Sequence, residues 1–399
     1  MTTLPDRHEI VRRAHQTAVL HAVLTDGPIS RGGIGAVTQL SKPVVLAVVA
    51  ELVDTGLIQR RGYASGKPGR SPVLYVANAR AGVIVGIDLG GTKLRGAIAD
   101  LDGIVLREEV EPTGLEGGLV VGDQIITLVR RLARRAKVPL QKISAIAIGS
   151  PGFADDDGRM QLAVNITGLS DISLVDHVRG AFRDCDVLVE NDVNIAALSE
   201  RAEGSGVGCD DLVVLSIGTG IGAGVIVGGR LMRGHHGAAG EVAWLTVGGE
   251  PPTRDTRARG MLEVAAAGEG IRRTLREALH TNGNSTLRAT ATVAEIFSAA
   301  AHGDTAAQAV VAAEAELVAR AVLSVVSVVD PEKVILAGGI GANPNLLRPV
   351  MEQLDLLAPF FVKVESSKLG ERSGIVGALA LARGIARNRL FGEVTTADD

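Results

Sequence analysis

Cysteine is almost absent from this chain, since Cys185 and Cys209 are the only two among 399 residues. Two cysteines cannot build a disulfide scaffold or a cysteine-rich zinc site, and so few in a chain of this length fit a reducing cytoplasm. The length itself allows sizeable buried cores and predicts two or three domains. We therefore expect a cytoplasmic protein of several domains.

Long apolar runs are missing as well. No run of about 18 apolar residues occurs, so we expect no transmembrane helix and no membrane partner. Residues 1–16 lack the apolar centre of an export signal. Aromatic residues make up only 2% of the chain, but the hydrophobic share of 46% is too high for a disordered protein.

Charge is divided unevenly along the chain. Residues 1–78 carry nine Lys or Arg against five Asp or Glu, whereas residues 79–399 carry 32 against 40. A basic segment ahead of an acidic body suggests two tasks, one of which faces a polyanion. The alternative is an ordinary charged surface.

The pattern of residues 1–78 favours three helices and a hairpin. Residues 8–24 have helical composition, Ser30 can cap a short second helix, and Ser41 can cap a third with Pro43 in its first turn. The spacing of the third helix predicts one buried stripe of Leu46, Val49, Ala50 and Val53.

Two strands, 57–61 and 72–76, follow around a polar loop at 62–71. This order is typical of a winged helix-turn-helix domain, whose third helix enters the major groove of DNA. It also occurs in protein-interaction domains. The third helix offers few polar side chains for reading bases, so the predicted DNA contacts are Gln39, Ser41, Lys42, Arg60, Arg61, Lys67 and Arg70.

The body begins with a glycine hairpin between a buried strand at 83–88 and a second strand at 94–99. Glycines let backbone N–H groups face phosphate oxygens, and a threonine adds a hydroxyl donor. Asp88, at the strand end, could hold a hydrated Mg²⁺. The alternative is a hairpin without a ligand. The candidate nucleotide-binding residues here are Asp88, Gly90, Gly91, Thr92 and Lys93.

Two further glycine turns follow strands. The run at 218–224 satisfies a dinucleotide pattern, but it leads into more β-structure instead of a helix, which excludes a dehydrogenase site. The turn at 337–341 suits the face of a nucleoside. The residues concerned are Gly218, Thr219, Gly220, Gly338 and Gly339.

A strand at 187–190 ends in Asn191 and Asp192, directly before a helical segment. Asp192 could act as a general base toward a substrate hydroxyl, with Asn191 holding a neighbouring hydroxyl. The alternative is simple helix capping.

Taken in order, these residues resemble the ROK family of bacterial sugar kinases and sugar-responsive repressors. The resemblance rests on DLGGTK at 88–93, GSPG at 149–152, END at 190–192, GTGIG at 218–222, GAAGE at 237–241 and AGG at 337–339. It covers nearly the whole chain. It implies a two-lobed α/β fold like that of actin and hexokinase, preceded by a winged helix-turn-helix over 1–78. The implied first lobe is 79–192 with a returning helix at 366–392, and the second lobe is 193–365.

The resemblance also implies roles for individual residues. The residues that match the loops binding ATP phosphates are Asp88, Gly90, Gly91, Thr92, Gly218, Thr219 and Gly220. Asp192 matches the catalytic base, and the implied ligands of sugar hydroxyls are Asn191, Glu241 and Glu263.

Four positions depart from the family pattern, in which a histidine and three cysteines bind a structural zinc. This chain has Trp244, Arg254, Thr256 and Met261 there. None of these side chains replaces a thiolate or imidazole, so we expect no zinc. Trp244 could stack on a sugar ring or simply pack in the core.

Two functions follow from these observations. The first is a DNA-binding transcriptional regulator, a repressor of carbohydrate metabolism, that binds an operator as a dimer or tetramer and senses a sugar or sugar derivative. The alternative is an ATP-dependent sugar kinase, or a regulator that retains kinase activity with ATP and Mg²⁺.

Overall fold

The computed structural model describes residues 7–64, 71–114, 117–154, 160–161, 168–246, 252–281 and 285–392. The N-terminal part forms three helices and a three-stranded sheet of order β1-β3-β2. Its elements are α1 (Arg7–Asp26), β1 (Ile29–Ser30), α2 (Arg31–Thr38), α3 (Lys42–Asp54), β2 (Ile58–Tyr63) and β3 (Val73–Ala77).

The two serines predicted as helix caps behave differently in the structure. The Ser30 side chain accepts a hydrogen bond from the Gly33 N–H, as predicted, and begins α2. Ser41 stands at the N-cap position of α3, but its side chain makes no capping bond.

The buried stripe of α3 differs from the prediction, since it is formed by Val45, Val48, Val49 and Leu52. The prediction was wrong for Leu46 and Ala50, which are exposed. Apolar residues fill nearly every turn of this helix, so periodicity alone did not identify the face that packs inward.

A five-stranded sheet of order β10-β7-β4-β5-β6 follows. Here β4 pairs with β7, and β7 with β10, in parallel. One face packs against two helices through a continuous apolar core. The elements are β4 (Val83–Leu89), β5 (Lys93–Asp100), β6 (Val105–Pro112), α4 (Gly118–Ala136), β7 (Ile143–Ser150), β8 (Phe153–Ala154), β9 (Met160–Gln161), α5 (Leu174–Ala181) and β10 (Asp186–Asn191).

A second five-stranded sheet has the order β13-β12-β11-β14-β15. The strands β11, β14 and β15 run parallel. A cluster of helices covers one face. The elements are α6 (Asp192–Glu203), β11 (Leu212–Ile217), β12 (Ile221–Val227), β13 (Arg230–Leu231), α7 (Arg254–Arg259), α8 (Met261–Ala266), α9 (Gly268–Thr281), α10 (Val293–Ala301), α11 (Thr305–Val329), β14 (Lys333–Ala337), α12 (Gly338–Gly341), α13 (Leu347–Leu357), β15 (Val364–Ser366) and α14 (Ser373–Phe391).

Two helices join the sheets. Helix α6 packs against α14 on one side and against β11 and β12 on the other, and α14 also covers β4 and β7. The helices cross closely, because a Cβ at Gly377 would lie 2.0 Å from the Ile195 carbonyl oxygen. The predicted helix at 366–392 begins only at Ser373, since Ser366 pairs with Leu336 in the second sheet.

The N-terminal domain shares its core with the body. One apolar cluster includes Val23 of α1 and Val49 of α3 together with Ile375 and Phe391 of α14. The backbone N–H of Leu101 also donates to the Ala79 carbonyl just after β3. The α/β fold class predicted from the sequence, with its N-terminal winged helix-turn-helix, is confirmed.

In the described part of the chain, no single helix combines the length and apolarity that crossing a membrane requires. Only α2 and α3 taken together pass that test, as a pair bent by 116°.

Candidate functional site

The carboxyl ends of the parallel strands bring the predicted residues to one edge of the first sheet. Asp88 of β4 is paired in register with Gly149 of β7, and Ser150 is paired with Asn191 of β10. Ligands of open α/β sheets bind at such edges. The sheet therefore places Asp88 and Asn191 on the side where a ligand would enter.

Asn191 caps α6. Its Oδ1 accepts from the Val193 N–H at 2.8 Å and the Asn194 N–H at 3.2 Å, while its Nδ2 donates to the Gly152 carbonyl at 2.9 Å. Capping, the alternative considered from sequence, therefore describes Asn191. Its role as a sugar ligand stays a prediction.

Asp192 is the first residue of α6, and the residue as a whole is exposed, whereas protein atoms crowd its carboxyl group. This burial raises the pKa of its carboxyl to about 6, and the negative charges of Asp88 and Glu241 add to the rise. The Val193 N–H opposes it by hydrogen bonding the carboxylate. A carboxylate with a pKa near neutrality suits a general base or a strong acceptor for a hydroxyl.

Four acids form what we call the acidic site: Asp88, Asp192, Glu241 and Glu263. Burial raises the pKa of Asp88, against the favourable charge of Arg95. Burial also raises the pKa of Glu241, and the nearby Glu263 adds to that effect. Asp88 lies in the first sheet, whereas Glu241 and Glu263 follow the strand β13 of the second sheet along the chain. Folding therefore brings negative charges from two separate parts of the chain together. Such a site favours hydroxyl donors.

Glu263 is engaged on both carboxylate oxygens. Its Oε2 accepts from the Ile221 N–H at 3.1 Å, and its Oε1 accepts from the Arg259 Nε at 3.2 Å. The residue therefore positions the second glycine loop, in addition to its predicted contact with a sugar.

The first glycine hairpin is fastened by Thr113, which the sequence analysis missed. Its hydroxyl donates to the Gly90 carbonyl at 2.6 Å, and its N–H donates to the Thr92 carbonyl at 3.1 Å. No local signal pointed to Thr113, because it lies beyond two further strands. Gly91 lies in the same turn, where Thr92 and Lys93 are exposed. The Lys93 Nζ lies 3.6 Å from the Glu371 Oε1.

The second and third glycine turns meet. The Gly218 N–H donates to the Gly220 carbonyl at 2.9 Å, which closes a tight turn with Thr219 exposed at its tip. Gly338 has φ +79°, and a Cβ there would lie 2.3 Å from the Ile217 carbonyl oxygen. Beside Gly339 there is open space, so backbone can approach a ligand there.

ATP and Mg²⁺ stay a prediction, and the glycine turns and Asp88 have the chemistry that they would need. The glycine turns offer open backbone to phosphates, and Asp88 offers a desolvated carboxylate to a cation. A Cβ at Gly374 would lie 2.4 Å from the Asp88 Cγ, so the start of α14 abuts this carboxylate. Asp88 would hold the metal and the glycine turns the phosphates.

The END segment contains an ion pair that sequence did not suggest, between the buried Glu190 and the exposed Arg233. Glu190, 6% exposed, accepts from the Arg233 Nε at 2.7 Å and from the Asn194 Nδ2 at 2.8 Å. Arg233 comes from the loop after β13, so this pair links the second sheet to the start of α6.

Trp244 ends a short 3₁₀ helix, Val242–Trp244, directly after Glu241. With 42% of its surface exposed, it is not a core residue. Its exposure beside Glu241 is compatible with the predicted stacking on a sugar ring.

The segment at the family's zinc position has donors of a different kind. Thr253 and Thr256 form a capping box that starts α7, which places Thr256 in a hydrogen-bonded turn. Among the described residues, no three His, Cys, Asp or Glu side chains converge in a way that fits a metal ion. Trp244, Arg254, Thr256 and Met261 do not fit zinc, and its absence stays a prediction.

The predicted DNA contacts that the structure describes lie on the surface of the N-terminal domain. Five of them are exposed, namely Gln39, Ser41, Lys42, Arg60 and Arg61. The Gln39 Nε2 donates to the Ala36 carbonyl at 2.9 Å in the turn between α2 and α3. Lys67 and Arg70 lie outside the described residues.

Comparison with known proteins agrees with this geometry. Residues 84–385 match the model of the ROK family. A xylose repressor from Caldicellulosiruptor bescii is 28% identical over 392 residues, covering 94% of this chain and 96% of that one. A glucokinase from Halalkalibacterium halodurans is 32% identical over 310 residues, covering 73% of this chain and 92% of that one.

Among solved structures, a ROK family transcriptional regulator described as a homologue of the Escherichia coli MLC protein has a TM-score of 0.78. It is 22% identical and covers 96% of this chain and 98% of its own, so it shares the fold including the N-terminal part.

Proposed function

This chain belongs to the ROK family, and we propose that it is a transcriptional regulator that binds a DNA operator and responds to a sugar or sugar derivative. We propose that this regulator represses transcription, because the C. bescii relative that matches 94% of the chain is a xylose repressor.

The continuous packing between the two candidate sites carries this proposal. The winged-helix core and α14 belong to one apolar cluster. Helix α14 in turn crosses α6 in close contact, and α6 begins with Asp192. A ligand that moves the start of α6 would therefore act on packed, rigid elements that end at the DNA-binding domain.

Electrostatics support DNA as the partner of the N-terminal domain. Lys42, Arg60 and Arg61 are exposed there, and lysine and arginine neutralise phosphates by releasing counterions. We propose that two copies bind together, as a dimer or tetramer, because a palindromic operator needs two winged helices. Light scattering of the purified protein, alone and with DNA, measures the assembly.

The test combines two titrations. Calorimetry against a panel of hexoses, pentoses and N-acetylhexosamines identifies a sugar, and fluorescence anisotropy then measures promoter DNA binding with and without it. We expect the sugar to change the DNA affinity at least fivefold. Arg60→Ala should lower the slope of log affinity against log salt by about 1, whereas Arg348→Ala, at an exposed site on α13, should not. Equal binding of promoter and unrelated DNA would refute the proposal.

Sugar phosphorylation is a second candidate function, favoured by Asp192. Its carboxyl has a pKa of about 6 and lies in one site with Asp88, next to glycine turns that suit phosphates. We propose that Asp192 would accept the proton of the attacking sugar hydroxyl, while the turns orient the phosphates. ADP release from ATP and the identified sugar, lost in Asp192→Asn, tests this; no ADP release from the wild-type protein would exclude it.

A further inference from the structure

The exposed face of α3 is apolar at its centre. Helix α3 buries Val45, Val48, Val49 and Leu52 in the domain core. Pro43, Leu46, Ala47 and Ala50 are exposed on the other side, with 51% of Leu46 accessible. Beyond the first turn, the charged side chains of α3 are Glu51, which is half-buried, and Asp54, which is exposed at the end of the helix.

The position of α3 identifies what this face meets. The chain turns through 116° between α2 and α3, over a three-residue connection. This is the geometry of a helix-turn-helix, in which the second of the two helices enters the major groove.

Exposed positive charge lies on α3 itself and on the strand that packs against it. Lys42 lies in the first turn of α3, and Arg60 and Arg61 lie on β2, which packs against α3. An apolar helix face with exposed cations on the same helix and on the neighbouring strand complements a duplex, because the phosphates flank the groove and the base edges form its floor.

The floor of the major groove carries one apolar group, the C5-methyl of thymine. We propose that Leu46, Ala47 and Ala50 read the operator by contact with thymine methyl groups, while Lys42, Arg60 and Arg61 contact phosphates. This inference rests on the proposed function as a DNA-binding regulator. Contact with methyl groups would make α3 selective for A·T pairs whose thymine methyl lies within its reach. This selectivity would not need the hydrogen bonds that polar recognition helices make to base edges.

The experiment removes single methyl groups from DNA. The full-length protein selects duplexes from a random 30-base-pair library, and anisotropy titrations then measure the selected duplex with each thymine replaced in turn by deoxyuridine. We expect a loss of about fourfold in affinity at each contacted position, which corresponds to one buried methyl group. Replacing a thymine outside the contacted positions should leave the affinity unchanged.

Protein variants tie the effect to α3. Leu46→Ser, at an exposed site that should not disturb folding, is expected to reduce the thymine-to-deoxyuridine affinity ratio toward one at one or two positions. Val328→Ser, at another exposed apolar site far along the chain on α11, serves as the control and should keep the ratio.

The outcomes separate the two proposals. Failure to select any sequence would overturn the proposed function and this inference with it. A selected duplex that binds equally well with deoxyuridine at every position would overturn the inference alone. So would a Leu46→Ser variant that changes the oligomeric mass but keeps the thymine-to-deoxyuridine ratio, because the face would then be a protein interface.

Discussion

Arg233 donates a hydrogen bond from its Nε to the Glu190 Oε2 at 2.7 Å, joining the loop after β13 to the end of β10. The other Glu190 oxygen accepts from the Asn191 N–H and the Asn194 Nδ2. The buried carboxylate of Glu190 thus holds the start of α6, where Asp192 lies, against the loop that follows β13.

Arg233→Ala should destabilise the protein by about 1–3 kcal/mol, because it leaves a buried acceptor without its charged partner. We also expect weaker sugar binding, since the start of α6 loses its support. Thermal unfolding and calorimetry measure both. Arg320→Ala breaks an exposed pair with Glu316 and should cost less than about 1 kcal/mol; equal losses in the two variants would contradict the role of Glu190.

Sugar affinity should depend on the ionisation of Asp192. Its pKa of about 6 predicts constant affinity above pH 7 and a decline as the pH falls through 6, because the protonated carboxyl is a weaker acceptor. Asp192→Asn should bind at least about tenfold more weakly, with a flat pH profile. Asp355→Asn, an exposed change on α13, should keep the wild-type profile. Calorimetry between pH 5 and 8 checks this, and a flat wild-type profile would argue against Asp192 as a sugar ligand.

Ionisation of Asp192 should lower the stability of the fold, although it strengthens sugar binding. Because folding raises the carboxyl pKa, the folded state binds its proton more tightly, and stability falls as the pH rises from about 4 through 6. Asp192→Asn should therefore have a higher Tm than the wild type at pH 7.5 and a similar Tm at pH 4.

Gly377 is expected to couple the two candidate sites. An alanine Cβ there would lie 2.0 Å from the Ile195 carbonyl oxygen, so Gly377→Ala must push α14 away from α6 at a cost of about 1–3 kcal/mol. We expect the effect of sugar on DNA affinity to shrink. Gly384→Ala lies on the same helix with open space around it and should be neutral or slightly stabilising. An unchanged sugar response in Gly377→Ala would show that coupling does not pass through this crossing.

Glu314 should lower stability at neutral pH. It is buried in α11, its Oε1 has no hydrogen-bond partner among the described residues, and burial raises its pKa well above the usual value. Stability should therefore fall as the pH rises above about 4.5, where the unfolded carboxyl ionises.

Glu314→Met should remove this dependence and gain about 1–3 kcal/mol at pH 8. Glu316→Gln, on the exposed side of the same helix, is the control. Thermal unfolding at pH 5 and pH 8 compares them, and a Glu314→Met variant less stable than wild type at pH 8 would refute the prediction.

Much of the fold was predictable because its signals are local. The cap at Ser30, the glycine turns near Gly90 and Gly218, and the strand ending at Asn191 all lie where the sequence placed them. Leu46 shows the limit. Apolar residues at the helical spacing i, i+3, i+4 and i+7 identified α3 as a helix, but which side faced the core depended on α1 and the sheet, so the predicted stripe was wrong.

The sequence by itself determined the turns, the caps and the order of the motifs, because these depend on backbone preferences of neighbouring residues. Only the tertiary structure decided which distant groups meet. Arg233 reaches Glu190 across 43 residues, and Gly374 abuts Asp88 from the far end of the chain. Asp192 owes its raised pKa to desolvation of its carboxyl group and to the negative charges of two other acids. Desolvation and charge pairing depend on distances in space, so they arise only when folding has brought these distant residues together.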